Sequence, residues 1–367
     1  MSELVQVNPR NTSKLCCAVV IAVLAGCDAF LSPIPPGDST KPPGSDLSSA
    51  KPIELDADGN TVLTGTVSDA DNVHVYDLGA CARGDRIAIT VEPAVGSSMD
   101  PVLAVFDANE DLFALNDDVD VAASVLSSAI DEVVTIAGNH YYLAISKFFS
   151  GATGGNYVAT IHIERGGAVP SRPVQVLLLN FAGGEVTILG EGTITFDPFD
   201  AADVDAAYAG KTDEIKAKIA EVVRENYEDT GVAVVTSDDP APAPGTFSTI
   251  HFGAYSPTKF GVAQSVDQGN KDRCDDGIVF TEQFDDPFAA QPSVVGLSTA
   301  IANVAAHEAG HLLGLNHVSD VTALMDTTGT ASTLLADQEF KSAPLHPSVF
   351  PLGTQNAPVM LDRIVPP

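Results

Sequence analysis

The sequence predicts a multidomain chain, an all-β antiparallel sandwich followed by an α+β domain. Three observations carry that expectation. Short segments of alternating apolar and polar residues, separated by turn residues, recur from about residue 51 to 166. From residue 174 onward, continuous apolar runs are interleaved with helical periodicity. Between the two regimes, residues 167–173 read Gly-Ala-Val-Pro-Ser-Arg-Pro, the composition of an interdomain linker. With 367 residues, 45% of them hydrophobic, both parts are long enough to bury a core and the chain is not of disordered composition.

The elements follow in chain order. Arg10 and Lys14 precede a run from Leu15 to Leu24 that is apolar apart from Cys16 and Cys17. Ten such residues are too few to cross a ~30 Å hydrocarbon layer as a helix, but they suit the core of a secretion signal. The run ends Leu24-Ala25-Gly26-Cys27, which resembles the lipobox of bacterial lipoproteins. The resemblance implies a signal peptide at 1–26 and acylation of Cys27, hence a chain exported and lipid-anchored in the bacterial cell envelope. An ordinary cleaved signal with Cys27 incidental is the plainer alternative. Residues 27–50, rich in Ser, Pro, Gly and Asp, read as a flexible tether.

Within 51–166 the strand candidates include Val73–Tyr76, Arg86–Val91, Pro101–Phe106, His140–Ile145 and Tyr157–Ile163. About eight strands over this span, with no helical period between them, indicate an antiparallel sandwich. Asp77-Leu78 with Gly84-Asp85, Leu103…Phe106-Asp107, Leu115-Asn116-Asp117-Asp118 and Tyr141-Tyr142-Leu143 resemble the bacterial pre-peptidase C-terminal domain. Such domains accompany secreted peptidases, and some bind calcium or substrate. Asp107, Asp111, Asp117 and Asp118 are oxygen donors of the kind Ca2+ takes. Carboxylates at turns and strand ends are the simpler account of the same residues. Past the anchor only Cys81 and Cys274 remain, open either to pairing or to two free thiols.

In the α+β domain, 174–367, the run Val174–Phe181 suits a buried strand. Thr212 is positioned to cap a helix whose apolar residues Ile215, Ile219, Val222 and Val223 share one face. Val232–Val235 and Phe247–Phe252 read as strands, Gly261–Val266 and Ile278–Phe280 as weaker ones. Ser298 is expected to cap a helix running through Ile301, Val304 and Ala305 into residues 307–317, which read His-Glu-Ala-Gly-His-Leu-Leu-Gly-Leu-Asn-His.

That stretch carries the chemistry. His307 and His311 are four apart, on one helical face, so both imidazoles can reach one ion. Glu308, about 100° further round, can reach a water beside the ion instead. Gly314 can take the positive φ that ends a helix and turns the chain, bringing back His317 as a third ligand. Three nitrogen ligands leave one tetrahedral position open, the arrangement of a catalytic zinc. The composition produces this pattern by chance in roughly one chain in 10⁵, which makes it specific. His74, His140, His162, His251 and His346 lie outside it and are expected to be ordinary surface or core residues.

The pattern resembles the metzincin clan of zinc endopeptidases, and Ala323-Leu324-Met325-Asp326, eight residues past His317, resembles their methionine turn. The His317-Val318-Ser319-Asp320 lead into Ala323-Leu324-Met325 is most similar to the matrixin branch. The resemblance implies one catalytic Zn2+, a protein or peptide substrate, Glu308 as general base and an edge strand at Gly261–Val266 along which substrate pairs. An internal strand is the alternative for that segment. Two departures stand out: Asp326-Thr327 replaces the Tyr-Pro usual after the methionine, and no Pro-Arg-Cys-Gly latency switch precedes the domain. The competing function is a lipid-anchored surface binding or adhesion protein with a catalytically degenerate peptidase domain. Loss of Glu308 or a ligand histidine would have favoured it, and all four residues are present. Oligomeric state leaves no signal.

Net charge is −31, from 49 acids against only 18 bases. Charged residues make up 18% of the chain, below the roughly 25% of ordinary soluble proteins, so the imbalance comes from missing bases. A chain so short of cations is a poor source of phosphate contacts, so nucleic acid is not an expected partner. Binding of an anionic membrane through a basic patch is disfavoured for the same reason. Both regions share the acidity, net −13 over 51–166 and −17 over 171–367.

Overall fold

A computed structural model describes residues 19–22, 46–119, 126–148, 153–172, 174–285 and 287–367. Cys27, most of the tether and all of the signal segment except β1 (Val19–Ala22) lie outside the described residues.

The sandwich begins with β2 (Lys51–Pro52), β3 (Asn60–Val67), β4 (Val73–Cys81) and β5 (Arg86–Pro93). It continues through β6 (Pro101–Asp107), β7 (Leu112–Asn116), β8 (Ser128–Val133), β9 (Gly138–Lys147) and β10 (Gly155–Glu164). One sheet has the order β2-β4-β9-β6-β7 and the other β3-β10-β5-β8. All pairings are antiparallel except β2 with β4. Alternation sets the inner faces: Tyr157, Ala159, Ile161 and Ile163 of β10 and Ile87, Ile89 and Val91 of β5 meet Leu103, Val105, Leu143 and Ile145 of the facing sheet.

The run Pro101–Phe106 does not alternate, contrary to the expectation from sequence. Every residue from Pro101 to Phe106 is buried, because the C-terminal domain covers the outer face of that sheet. Val102, Ala104 and Phe106 belong to the core of that second domain, and Phe106 packs on Phe350 with ring centroids 5.8 Å apart.

The second domain opens with β11 (Gln175–Asn180), then a hairpin the sequence reading missed, β12 (Gly184–Ile188) with β13 (Gly192–Phe196). The short α1 (Ala201–Val204) and α2 (Thr212–Asn226) follow. Next come β14 (Val232–Thr236), β15 (Phe247–Phe252), β16 (Lys259–Ala263), β17 (Asp276–Val279) and the long α3 (Val294–Leu312). The pair β18 (Ser342–Pro344) and β19 (Thr354–Asn356) and a closing α4 (Ala357–Ile364), also absent from the sequence reading, complete it. The sheet order is β1-β16-β17-β15-β11-β14, with β14, β11, β15 and β17 parallel and β16 antiparallel to β17. The fold is thus multidomain, a β-sandwich followed by an α+β domain.

Two capping expectations are corrected. Lys211, not Thr212, stands at the N-cap of α2, and the Thr212 hydroxyl instead donates to Asp200 Oδ1 (2.7 Å) and accepts from the Ala201 N–H (3.1 Å). Asp213 and Glu214 in the first turn favour that helix end through the helix dipole. For α3 the cap is Ser293, five residues before Ser298, and its Oγ accepts from Gly296 N–H (3.1 Å). Ser298 is inside it, donating to Val294 O (2.8 Å). The helix α3 is buried at every residue from Leu297 to Leu312, wedged between the sheet and α2, where the Tyr227 hydroxyl donates to Ala306 O (2.9 Å).

Among the described residues, Cys81 and Cys274 do not form a disulfide with each other. Among the described residues no helix is long and apolar enough to cross a membrane.

Candidate metal centre

The imidazoles of His307 and His311 project one turn apart from α3. The helix ends at Leu312, and Gly314 adopts φ +89° where a Cβ would come within 2.7 Å of Asp267 O. Only glycine fits that combination, and the turn it permits returns the chain to place His317 opposite.

The Nε2 atoms converge: His311 Nε2 lies 3.0 Å from His307 Nε2 and 3.1 Å from His317 Nε2. The other ring nitrogens fix the tautomers. His307 Nδ1 donates to Leu324 O (2.7 Å) and His311 Nδ1 to Leu315 O (2.7 Å). Both rings therefore turn bare Nε2 lone pairs inward, where they cannot hydrogen-bond to each other. A cation resolves that repulsion, and tetrahedral zinc at ~2.05 Å from each nitrogen separates neighbouring nitrogens by about 3.3 Å, close to the spacing found. Burial keeps the rings neutral, pushing His307 down to about 4 and His311 and His317 well below the usual imidazole range. Among the described residues this is the one group of three or more His, Cys, Asp or Glu side chains gathered tightly enough to hold a metal ion.

Glu308 is fully buried beside the triad, and neither carboxylate oxygen makes a hydrogen bond. Burial pushes its carboxyl well above the usual range, opposed more weakly by the nearby Ala263 N–H and the Lys259 charge. An unpartnered buried carboxyl group is costly and needs an occupant or a function. It faces Gly261 of β16, where a Cβ would sit 2.6 Å from Glu308 Oε1 and 2.8 Å from Val304 Cγ1. Glycine at 261 is what lets the strand lie against this side chain.

Met325 forms the floor. It is buried, and a Cβ on Gly310 would come within 2.6 Å of its Sδ. Its carbonyl accepts from Val318 N–H (3.0 Å), so this turn braces both His307, through Leu324 O, and the segment after His317. Sequence reasoning placed Gly261 on the substrate-pairing strand and Gly310 within the histidine motif, but missed the close approaches that both glycines permit. Their signal was glycine inside a strand and inside a helix, where its propensity is poor and close approach is the usual reason.

A cleft of about 450 Å³, its open mouth included, adjoins His307. Phe260, Val304, Leu324 and Leu334 form apolar walls, with Asn303, Asp326, Thr327 and Gln338 among the polar lining residues.

The four acidic residues suggested for Ca2+ are not drawn into one donor set. Asp107 Oδ1 accepts from the Asn109 and Asp111 N–H groups (2.7 and 3.1 Å), an ordinary turn. Asp111 joins the domains, accepting from Thr354 Oγ1 (2.6 Å) and Asn356 Nδ2 (3.1 Å). Asp117 Oδ1 accepts from Asp118 N–H (2.9 Å), and Asp118 is pushed up to about 6 by burial and by the Asp117 and Asp100 charges. Among the other histidines, His74 pairs with Asp71 and Tyr157, His140 with Asp77, His162 with Asn60 and His251 with Asp276, all away from the triad. His346 is tied to it through its backbone N–H, which donates to His317 O (3.0 Å).

Three neutral imidazoles around one point, a buried carboxyl group beside them and an adjoining cleft define a metallohydrolase-type centre. Residues 210–339, which contain it, match the family model described as Matrixin, and the match supports a zinc metallopeptidase. No curated protein matches the chain significantly. The zinc-dependent peptidase of Methanocorpusculum labreanum is similar over 45% of this chain and 93% of its own, at 12% identity and TM-score 0.27. Archaemetzincin from Methanopyrus kandleri is similar over 47% and 92%, at 14% identity and TM-score 0.26. The pre-peptidase C-terminal domain of a Bacillus anthracis collagenase is similar over 31% and 94%, at 19% identity and TM-score 0.24.

Proposed function

We propose that the chain is a zinc-dependent endopeptidase in which His307, His311 and His317 hold the ion and Glu308 is the general base. The observation that carries this reading is the convergence of three Nε2 atoms, two of them with lone pairs fixed inward, beside a carboxyl group with no partner of its own. Zinc held there supplies a Lewis acid that polarises a peptide carbonyl and lowers the pKa of water beside it. The chain's own residues do the rest. Glu308 accepts the proton of the attacking water and delivers it to the leaving amine. The carbonyls of Leu324 and Leu315 hold the His307 and His311 rings in the ligating tautomer.

Extended substrate pairs along β16 by strand addition. In support, β1 already pairs there antiparallel, Val19 opposite Ala263 and Ala22 opposite Lys259. With residues 1–26 removed as a signal peptide, β16 becomes the free edge of the sheet. A peptide in that direction passes Ala263 first, Gly261 beside Glu308 next, and Phe260 at the cleft last. The cleft thus receives the residue following the scissile bond. The Leu24–Cys27 lipobox supports anchoring of the exported enzyme through acylated Cys27.

The test is Glu308→Gln. The variant retains one zinc per chain and loses cleavage of casein and quenched peptides, by about 10²-fold or more. Unchanged turnover in that variant would remove Glu308 from the mechanism, and purified protein that binds zinc but cleaves no peptide would turn the reading toward a binding protein.

A further inference from the structure

The cleft beside His307 is unusual in what it offers a ligand. Three of its side-chain donor groups are committed within the protein: Asn303 Nδ2 donates to Leu334 O (2.9 Å) and Ala336 O (2.7 Å), Gln338 Nε2 to Val321 O (3.3 Å), and Thr333 Oγ1 to Thr330 O (2.7 Å). The two carbonyls bound by Nδ2 fix the Asn303 amide, leaving its Oδ1 without a partner on a side chain only 1% exposed. Asp326 adds a carboxylate to the lining, standing where the matrixin pattern has tyrosine, and no lysine or arginine lines the cleft. The walls between these acceptors are apolar.

We infer that this cleft selects a basic residue, lysine or arginine, at the first position after the scissile bond. The inference rests on the peptidase reading for the position, and on the lining alone for the chemistry. A long aliphatic stem suits the Phe260, Val304, Leu324 and Leu334 walls, and a cationic donor at its tip meets Asp326 and the orphaned Asn303 Oδ1. A glutamate there meets the Asp326 carboxylate with no lysine or arginine in the lining to offset it. A leucine leaves the buried Asn303 oxygen unanswered.

Binding tests the inference apart from cleavage. Peptides differing only at that position, lysine, norleucine or glutamate, are titrated into zinc-loaded Glu308→Gln protein by fluorescence anisotropy. Lysine is expected to bind about tenfold more tightly than norleucine, with glutamate weakest. Asp326→Asn keeps a turn acceptor for Thr328 and Gly329 and should narrow the lysine preference to about threefold or less, while Asp326→Lys should reverse it toward glutamate. Norleucine binding as tightly as lysine overturns the inference whether or not the peptides are cleaved. The same peptides offered to the unmodified enzyme judge the peptidase reading separately. Cleavage without lysine preference keeps that reading and removes this one, and lysine-selective binding without cleavage does the opposite.

Discussion

Two buried polar clusters, one in each domain, differ in a single respect. In the sandwich, Asp71, His74, Tyr157 and Tyr76 form a chain of hydrogen bonds at 3.2, 2.8 and 2.7 Å, in which both imidazole nitrogens are used. In the α+β domain, two of the three imidazoles use Nδ1 on a carbonyl and turn Nε2 toward one another, and Glu308 uses neither oxygen. The first cluster is closed and stabilises the fold. The second is open and is complete only with something added. Buried polar groups are expensive unless satisfied, so a closed network is explained by structure and an open one by function.

Breaking the open cluster should have the largest effect. His311→Ala removes the central ligand, and zinc per chain measured by mass spectrometry should fall from about one to near zero, with loss of all peptide cleavage. Gly261→Ala leaves the ligands in place but forces the strand and Glu308 apart. Zinc content should hold while turnover drops about 10²-fold, the usual cost of misplacing a reacting group by about 1 Å. Equal loss of metal in both variants would show that the strand matters for ligation and not for the base.

The closed cluster answers to stability instead. Tyr157→Phe strips the hydroxyl shared by His74 and Tyr76 and should cost about 1–3 kcal/mol in thermal or urea unfolding, with zinc content and turnover unchanged. A change in activity would mean that the domains are coupled, as the Phe106–Phe350 contact and the Asp111 bonds to Thr354 and Asn356 make physically reasonable.

The smallest effect concerns Asp118, whose buried Oδ1 has no partner. Its carboxyl is raised to about 6 in the fold from an ordinary 3.8, by burial first and the Asp117 and Asp100 charges second. The folded state therefore holds the proton more tightly than the unfolded one, and ionisation costs stability above about pH 6 but not below about pH 4. Asp118→Asn should stabilise the protein at pH 7.5 by no more than about 1 kcal/mol after solvent screening, and leave it unchanged at pH 4. Equal effects at both pH values would mean that charge is not the cause.

Legibility followed the physics of each element. Strands with one solvated face, such as β10, alternate and were read from sequence, and so was the amphipathic α2. The hairpin β12–β13 and the short β18 and β19 went unread because their few residues carry too little pattern. Both helix caps were misassigned because Thr212 and Ser298 have other partners, supplied in one case by a distant residue, Asp200. The continuous apolar run of β6 makes sense only with a second domain against it.

By itself the sequence determined the gathering of the three histidines with Glu308 beside them, because the spacing of His307, Glu308 and His311 on a helix, and the glycine that turns the chain to His317, are local geometry. Tertiary structure alone decided the rest. It set the tautomers through carbonyls from Leu324 and Leu315, the approach of Gly261 to Glu308, and the cleft whose acceptors come from Asn303 and Asp326. Most of those contacts join residues far apart in the chain, and local pattern carries no record of which distant atoms will meet.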